Sequence, residues 1–436
     1  MKKILITGIL SIAAGITFAQ EIDVKEVERI EKVLASDDMR GRRIATPEIE
    51  KAADFICAEF KALGLQTWDG SDSYRQGFIM VRPKFISANA TLDGATLDQK
   101  NVMVVTCQEK LSINEQSGYA LETIAGGGNL LTEAGKLMKQ KKSMVVMVDE
   151  SYGTGFAALA RLKRSMFKTD KNYIFIFGNK KPTTYAIESQ HEITEQKLAN
   201  VVGVLPGKSK KNEYVIFSGH YDHIGVASSA NASGPNSNAN PVATGDSIYN
   251  GANDDAAGIT AVILLAKYFK ELKTNDRTII FAAFTAEEVG GFGSRYFSNG
   301  FNPDKVVAMF NIEMIGTESK WGKNSAYITG YDKSDMGAIM QKSLEGTGFT
   351  FHPDPYTDQQ LFYRSDNATL AYLGVPAHTI STSKMDSEPN YHKVTDEIGT
   401  LDLNNMAQII KAIALSSKSI VLGLATPSRV STSNLR

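Results

Sequence analysis

Apolar positions along the chain change their spacing twice, and the changes divide it into three stretches. At residues 22–36, Ile22, Val27, Ile30, Val33 and Leu34 recur at the spacing of one face of an amphipathic helix. A second helix is predicted to start at Thr46, an N-cap followed by Pro47 at the first helical position. It runs through Ala52, Phe55, Ile56, Phe60 and Leu63 and stops at Gly64. Between about residues 76 and 190 the pattern becomes short β-type runs at 102–107, 144–148 and 173–177, separated by turn residues and one helical stretch at 155–164. From residue 198 onward strands and helices alternate, with strands at 214–218, 278–284 and 306–312 and helices at 255–272, 335–344, 360–373 and 401–422. That alternation predicts an α/β domain with a mixed, mostly parallel sheet flanked by helices. Residues 20–75 and 196–424 are assigned to it, residues 76–195 to an inserted β-rich domain, and residues 425–436 to a flexible polar tail. Residues 227–240, rich in Ala, Ser and Asn, read as an exposed loop.

The first twenty residues follow a different logic. Lys2 and Lys3 precede an apolar run from residue 4 to 18, and Thr17-Phe18-Ala19 places small residues where a signal peptidase reads. Residues 1–19 are therefore expected to be a signal peptide, cut before Gln20, and the protein to be exported, periplasmic or secreted. No later segment is apolar enough to span a bilayer, so no membrane insertion is expected after cleavage. The formal net charge of −1 becomes −3 without the two lysines, which argues against nucleic acid as a partner. The two cysteines, Cys57 and Cys107, can pair in an oxidising compartment, but they are too few for a disulfide framework or a Cys-rich zinc site. Any metal must be held by His, Asp and Glu.

Those residue types gather in a particular place. The strand at 214–218 is followed by Gly219-His220-Tyr221-Asp222-His223, the strand at 278–284 by Thr285-Ala286-Glu287-Glu288, and the strand at 306–312 by Glu313. Asn253-Asp254-Asp255 precedes a helix, and Tyr391-His392 lies far downstream. Ligand sites in open α/β sheets lie beyond the strands' C-terminal ends. Carboxylates and imidazoles crowded there repel or desolvate one another unless a divalent cation joins them. Two histidines and three acids suffice for two ions about 3.5–4 Å apart that share a bridging carboxylate. Of the adjacent pair Glu287-Glu288, one can bind metal while the other acts as general base. In His220-x-Asp222, the Asp can accept from the imidazole's second N–H. Asp255 reads as a helix cap, Asp396 as a support for His392 or a loop residue, and His223, His191, His352 and His378 as structural.

These five segments, taken in chain order across about residues 198–400, resemble the M28 family of co-catalytic zinc metallopeptidases. The resemblance implies an aminopeptidase-type hydrolase acting on peptide substrates with two divalent metal ions, most commonly Zn2+. It implies metal ligands at His220, Asp254 (the bridge), Glu288, Glu313 and His392, a general base at Glu287, and support of His220 by Asp222. It further implies a cis Asp254-Asp255 peptide, a hydrogen-bond donor to the tetrahedral intermediate at Tyr391, and a protease-associated type of insert. The chain departs from the family pattern at Glu313, where most members have Asp, and at Ser365-Asp366-Asn367, where Ser-Asp-His is common. Carboxypeptidase action, a glutaminyl-cyclase-like reaction and a non-catalytic binding role are the alternatives on the same scaffold. Oligomeric state is not legible from the sequence.

Overall fold

A computed structural model describes residues 21–227 and 245–435. The predicted signal peptide and almost all of the predicted Ala/Ser/Asn loop lie outside these residues. The first two helices form as the pattern predicts. α1 spans Val24–Leu34 and buries Val27, Ile30 and Leu34, with Asp23 capping its N-terminus through Lys25 N. α2 spans Pro47–Ala62 and buries Ile49, Ala52, Ala53, Ile56 and Phe60.

The long strand β1 (Arg75–Leu92) then leads into the insert. There β2 (Val102–Val105), β3 (Lys110–Asn114), β4 (Ala120–Ile124), α3 (Leu130–Met138), β5 (Met144–Val148) and β6 (Tyr173–Phe177) follow. β7 (Tyr185–Leu205) returns to the main domain. The insert contains a four-stranded sheet in the order β2-β6-β5-β4, and the β4–β5 and β5–β6 pairs are parallel. The helical stretch expected at 155–164 is a longer 3-10 segment, Glu150–Lys163. β1 and β7 pair antiparallel from Leu92–Tyr185 down to Arg75–Val201, so the boundaries expected at 76 and 195 fall inside strands. No linker separates the two units; one β-ribbon runs through both.

The main sheet continues with β8 (Lys210–His220), β9 (Arg277–Phe284), β10 (Val306–Ile312), β11 (Ser325–Ile328), β12 (Thr350–Pro353) and β13 (Ala377–Ser381). Its order is β12-β11-β13-β10-β8-β9-β7-β1. β8 runs parallel to both β9 and β10, and β10 parallel to β13, which makes the centre parallel and the flanks mixed. α4 (Ala257–Leu272) and α7 (Leu403–Val421) pack with α1 on one face. On the other face lie α5 (Phe292–Ser298) and the turn Ala368–Ala371. α6 (Met336–Lys342) packs against α7. With both faces covered, the central strands need no polar alternation. Val215 and Phe217 enter one core while Ile216 enters the other. Phe217 is stacked on Phe269, Phe281 and Phe310.

Three expectations need correction. The helix expected from residue 255 begins at Ala257, because Asp254 and Asp255 hold non-helical backbone angles around a cis peptide. The helix expected at 360–373 is broken into Leu361–Tyr363 and Ala368–Ala371. There Gln360 is left-handed, and Asn367 Nδ2 donates to Phe362 O and Ala377 O. The tail is docked: Val430 is buried, Arg277 Nη1 donates to Ala425 O at 2.5 Å, and Arg429 Nη1 donates to Val306 O at 2.9 Å. Cys57 and Cys107 are both free thiols. Among the described residues no helix is long and apolar enough to cross a membrane.

Truncating Phe217 removes the centre of an aromatic stack that cannot collapse. Phe217→Ala is expected to lower stability by about 3–5 kcal/mol in chemical denaturation. Ile86→Ala, at a position 57% exposed, should stay within about 0.5 kcal/mol of the parent.

Candidate metal centre

The site assembles at the C-terminal edge of the parallel strands. β8 ends on His220, which pairs in register with Phe284, the last residue of β9. Glu287 and Glu288 follow β9 in a tight turn that Ala286 enters with φ 60°. Glu313 directly follows β10. Asp254 lies in the segment before α4, and Tyr391-His392 in the loop after β13.

Asp254 is the centre of the cluster. Its Oδ1 lies 3.1 Å from His220 Nε2, and its Oδ2 lies 3.3 Å from His392 Nε2. Glu288 Oε2 is 3.2 Å from His392 Nε2, while Glu288 Oε1 is 2.7 Å from His223 Nδ1. Two groups of possible ligand atoms, each within 4.8 Å of one another, share Asp254: His220-Asp254-Glu313 and His223-Asp254-Glu288. All five residues expected as ligands therefore come together, with Asp254 presenting one oxygen to each side. His223, expected to be structural, joins them. His191, His352 and His378 do not. His378, for example, is used between Thr329 O and Ser334 Oγ.

The contacts test whether a cation fits. His220 Nδ1 lies 3.0 Å from the backbone carbonyl of Asp222, which can only accept, so Nδ1 carries a proton and Nε2, the atom facing Asp254, is the one that would ligate a cation. His223 Nε2 is buried without a hydrogen-bond partner, and His220 Nε2 and His223 Nδ1 are buried against carboxylate oxygens of Asp254 and Glu288. Buried imidazoles and carboxylates packed this closely are costly unless protons or a cation join them. Two atoms each about 2.0–2.1 Å from one tetrahedral zinc lie about 3.3 Å apart, close to the spacing of the Asp254–His220 and Glu288–His392 contacts. Nitrogen and oxygen donors without thiolate fit zinc or a similar divalent ion. The arrangement can hold such ions and leave Glu287 free beside them.

Surrounding residues fix the ligand loops. Asp255 Oδ1 accepts from Gly258 N and Met314 N, and its Oδ2 accepts from His220 N, so the predicted helix cap also ties the His220 and Glu313 segments together. This closeness requires glycine at 258, where a Cβ would lie 2.2 Å from Ile312 O. The role expected of Asp222 changes. Its carboxylate lies 3.9 Å from the imidazole and instead accepts from Glu287 N at 3.0 Å and Glu288 N at 3.4 Å, setting the turn that aims both glutamates. Asp396 supports Asp254 rather than His392, accepting from Asn253 N at 2.9 Å and Asp254 N at 3.0 Å. Glu313 accepts from Ser365 Oγ, and burial pushes its carboxyl up to about 7. Arg42, fully buried, donates to the carbonyls of Leu34, Tyr221, Asn250 and Gly251, pinning α1 to both ligand loops. Its place in Met39-Arg40-Gly41-Arg42-Arg43 was the only signal for this role, and it reads as a surface run.

A cavity of about 330 Å³ at this strand edge is lined by Asp254, Glu287, Glu288, Glu313, Tyr391 and His392. Its far wall includes Met314, Tyr327, Leu361, Arg364 and Met385. The sequence profile of peptidase family M28 matches residues 200–416, about half of the chain. The chain belongs to peptidase family M28. It is 25% identical over 222 residues to a probable leucine aminopeptidase of Trichophyton verrucosum, covering 49% of this chain and 54% of that protein. It is 30% identical over 135 residues to a probable zinc metalloprotease of Pyrenophora tritici-repentis, covering 30% of this chain and 27% of that protein. The chain thus spans about half or less of the length of these curated relatives. Among solved structures, the aminopeptidase from Aneurinibacillus sp. strain AM-1 superposes with a TM-score of 0.53 at 15% identity, covering 96% of this chain and 97% of the other. The zinc aminopeptidase BSAP of Bacillus subtilis gives a TM-score of 0.52 at 14% identity, covering 94% and 98%. These likenesses place the fold of this M28 chain among those of solved aminopeptidases.

Removing a support of the Asp254 loop should loosen metal without unfolding the protein. Asp396→Ala is expected to weaken zinc retention about 10–100-fold in competition with a chromogenic chelator, with the far-UV spectrum unchanged. Unaltered zinc affinity would remove this role from Asp396.

Proposed function

We propose that this M28 protein is a two-metal aminopeptidase that releases N-terminal residues from peptides. The observation that carries the reading is the state of Glu287. Its side chain has no hydrogen-bond or ion-pair partner among the described residues, and it lines the cavity beside Asp254, Glu288 and Glu313. Burial holds its carboxyl well above the usual range, against the pull of His220 and with the added repulsion of Glu313 and Asp366. A carboxylate poised this way takes the proton of the attacking water and passes it to the leaving amine. Two divalent ions, when bound, supply Lewis acidity toward the scissile carbonyl and lower the pKa of water. His220, Asp254 and Glu313 would hold one, and Asp254, Glu288 and His392 the other. Burial raises the Tyr391 hydroxyl, so it stays protonated and can donate to the developing oxyanion. The chain's first twenty residues support export as the setting.

The walls support a medium-sized apolar first side chain. Tyr327 OH donates to Ser383 O, Thr379 Oγ1 to Asn367 Oδ1, and Ser381 Oγ to Met314 O. With those hydroxyl protons turned inward, Met314, Leu361 and Met385 face the space. The leucine aminopeptidase names of several relatives support the same preference. Arg364 favours a second reading, carboxypeptidase action. It lines the cavity, and its guanidinium donates to Gln359 Oε1 at 3.3 Å, which leaves donors for a terminal carboxylate.

Chromogenic aminoacyl substrates with free and acetylated amines decide between the readings. Chelator-sensitive cleavage confined to free amines, fastest for Leu or Met, is expected; cleavage of only carboxyl-terminal substrates would transfer the assignment to the second reading. Glu287→Gln should retain its metal and lose at least about 10²-fold in kcat, whereas a kcat within a factor of two of the parent would rule out Glu287 as the base.

A further inference from the structure

A second opening, about 920 Å³, lies between the insert and α5. The overall charge of the chain is close to zero, but charge is segregated here. Lys141, Arg161, Lys168, Lys171 and Arg295 line the groove against one acid, Asp170. Asp170 is taken up by Lys171 at 2.7 Å, and Lys168 pairs with Glu195 at 2.7 Å. Arg161 and Lys141 have no acidic partner among the described residues, so the groove keeps an excess of positive charge. Its floor is aromatic: Phe78 is stacked on Tyr296 at 4.9 Å and meets Phe167 edge-on at 5.9 Å. Tyr296 remains 36% exposed, although it is stacked on the buried Phe78. Because Phe78 belongs to β1, in the ribbon shared with the main sheet, this floor is fixed relative to the metal centre.

The groove and the catalytic cavity share one turn. Arg295 lies over the rings of Phe167 and Phe292, at 5.5 and 4.7 Å, and its Nη1 donates to Gly290 O at 3.3 Å. Gly290 itself lines the catalytic cavity, two residues after Glu288. A chain leaving the cavity over this turn arrives at Arg295. Beyond it, Ser165 and Asn299 line the groove, and Arg161 and Lys141 offer charge.

We propose that this groove is an exosite for the acidic downstream part of a peptide whose first residue occupies the catalytic cavity, a reading that rests on the aminopeptidase assignment above. The cations recognise Asp or Glu side chains, the aromatic floor covers the apolar side of the bound strand, and selectivity is written several residues away from the bond that is cut. A peptide is favoured over other polyanions because the groove opens on the turn that carries the glutamates of the peptidase site.

Two measurements test this, one of them independent of turnover. The first is fluorescence anisotropy of an N-acetylated, dye-labelled twelve-residue peptide with Glu at positions 4–9, against its Gln counterpart. The Glu peptide is expected to bind roughly tenfold tighter at low salt, with the advantage shrinking as salt rises. The double variant Lys141→Glu/Arg161→Glu should abolish that advantage, and Lys141→Gln/Arg161→Gln should reduce it. The second is turnover of the same two sequences with free amines. KM should favour the Glu peptide in the parent and not in the double variant, while a single-residue chromogenic substrate is cleaved equally by both. Equal binding of Glu and Gln peptides, an advantage that survives charge reversal, or displacement by an oligonucleotide of the same length at equal concentration would each overturn the exosite. Loss of small-substrate turnover in the parent would instead overturn the aminopeptidase reading, leaving the anisotropy result to decide the groove.

Discussion

Asp254 is buried with three imidazoles and two further carboxylates drawn around it, a gathering of ligand-type groups that a divalent cation would hold together. His220 shows the constraint most clearly. Its Nδ1 proton is committed to the Asp222 carbonyl, so Nε2 is the ring atom that faces Asp254 Oδ1, at 3.1 Å, and is the one free to ligate a cation. Left alone, such a pocket would be strongly unfavourable in a low dielectric. The surrounding structure nonetheless holds it. Asp255 ties three segments through backbone amides, Asp396 fixes two more amides beside Asp254, and Arg42 pins both ligand loops to the first helix. These buried hydrogen bonds hold imidazoles and carboxylates at the spacing that a divalent cation requires.

The supporting shell gives the N-terminal helices and the sheet a common purpose. α1 and α4 pack together, and the Arg42 guanidinium joins the end of α1 to the segments on either side of the metal centre. The parallel strands deliver His220, Glu287-Glu288 and Glu313 to one edge, because their C-terminal ends lie in register. The ribbon of β1 and β7 carries the same sheet outward into the insert, so the insert is built on the edge of the catalytic layer without a hinge. Rigidity of this kind suits a site whose ligands must keep their spacing to a few tenths of an ångström.

Much of this was legible from residue order. Apolar strands followed at once by His, Glu-Glu or Glu place chemistry at a strand end by simple periodicity, and that logic found His220, Glu287, Glu288 and Glu313. His223 escaped it because residues beyond a strand end have no fixed period, and only the fold turns its ring toward Glu288. The same loss of period hid the target of Asp222, whose carboxylate serves the next turn in place of its neighbouring imidazole. β11, β12 and β13 were missed since they are short and carry polar residues, such as His378 and Thr379, that are buried only because neighbouring segments satisfy them. At the break over residues 364–367, Ser365 donates to Glu313 and Asn367 ties the turn to Phe362 and Ala377, partners that local sequence does not reveal. The docked tail depended on Arg277, whose carbonyl partners lie about 150 residues downstream and cannot be read from local sequence.

The central claim is that Asp254 joins two cation positions, and metal stoichiometry tests it most directly. Calorimetric titration of the metal-free protein with zinc should show two ions bound per chain. Asp254→Asn should weaken both, whereas Glu313→Gln should weaken only one. A single ion per chain, or an Asp254→Asn protein that still binds two with unchanged affinity, would contradict the account.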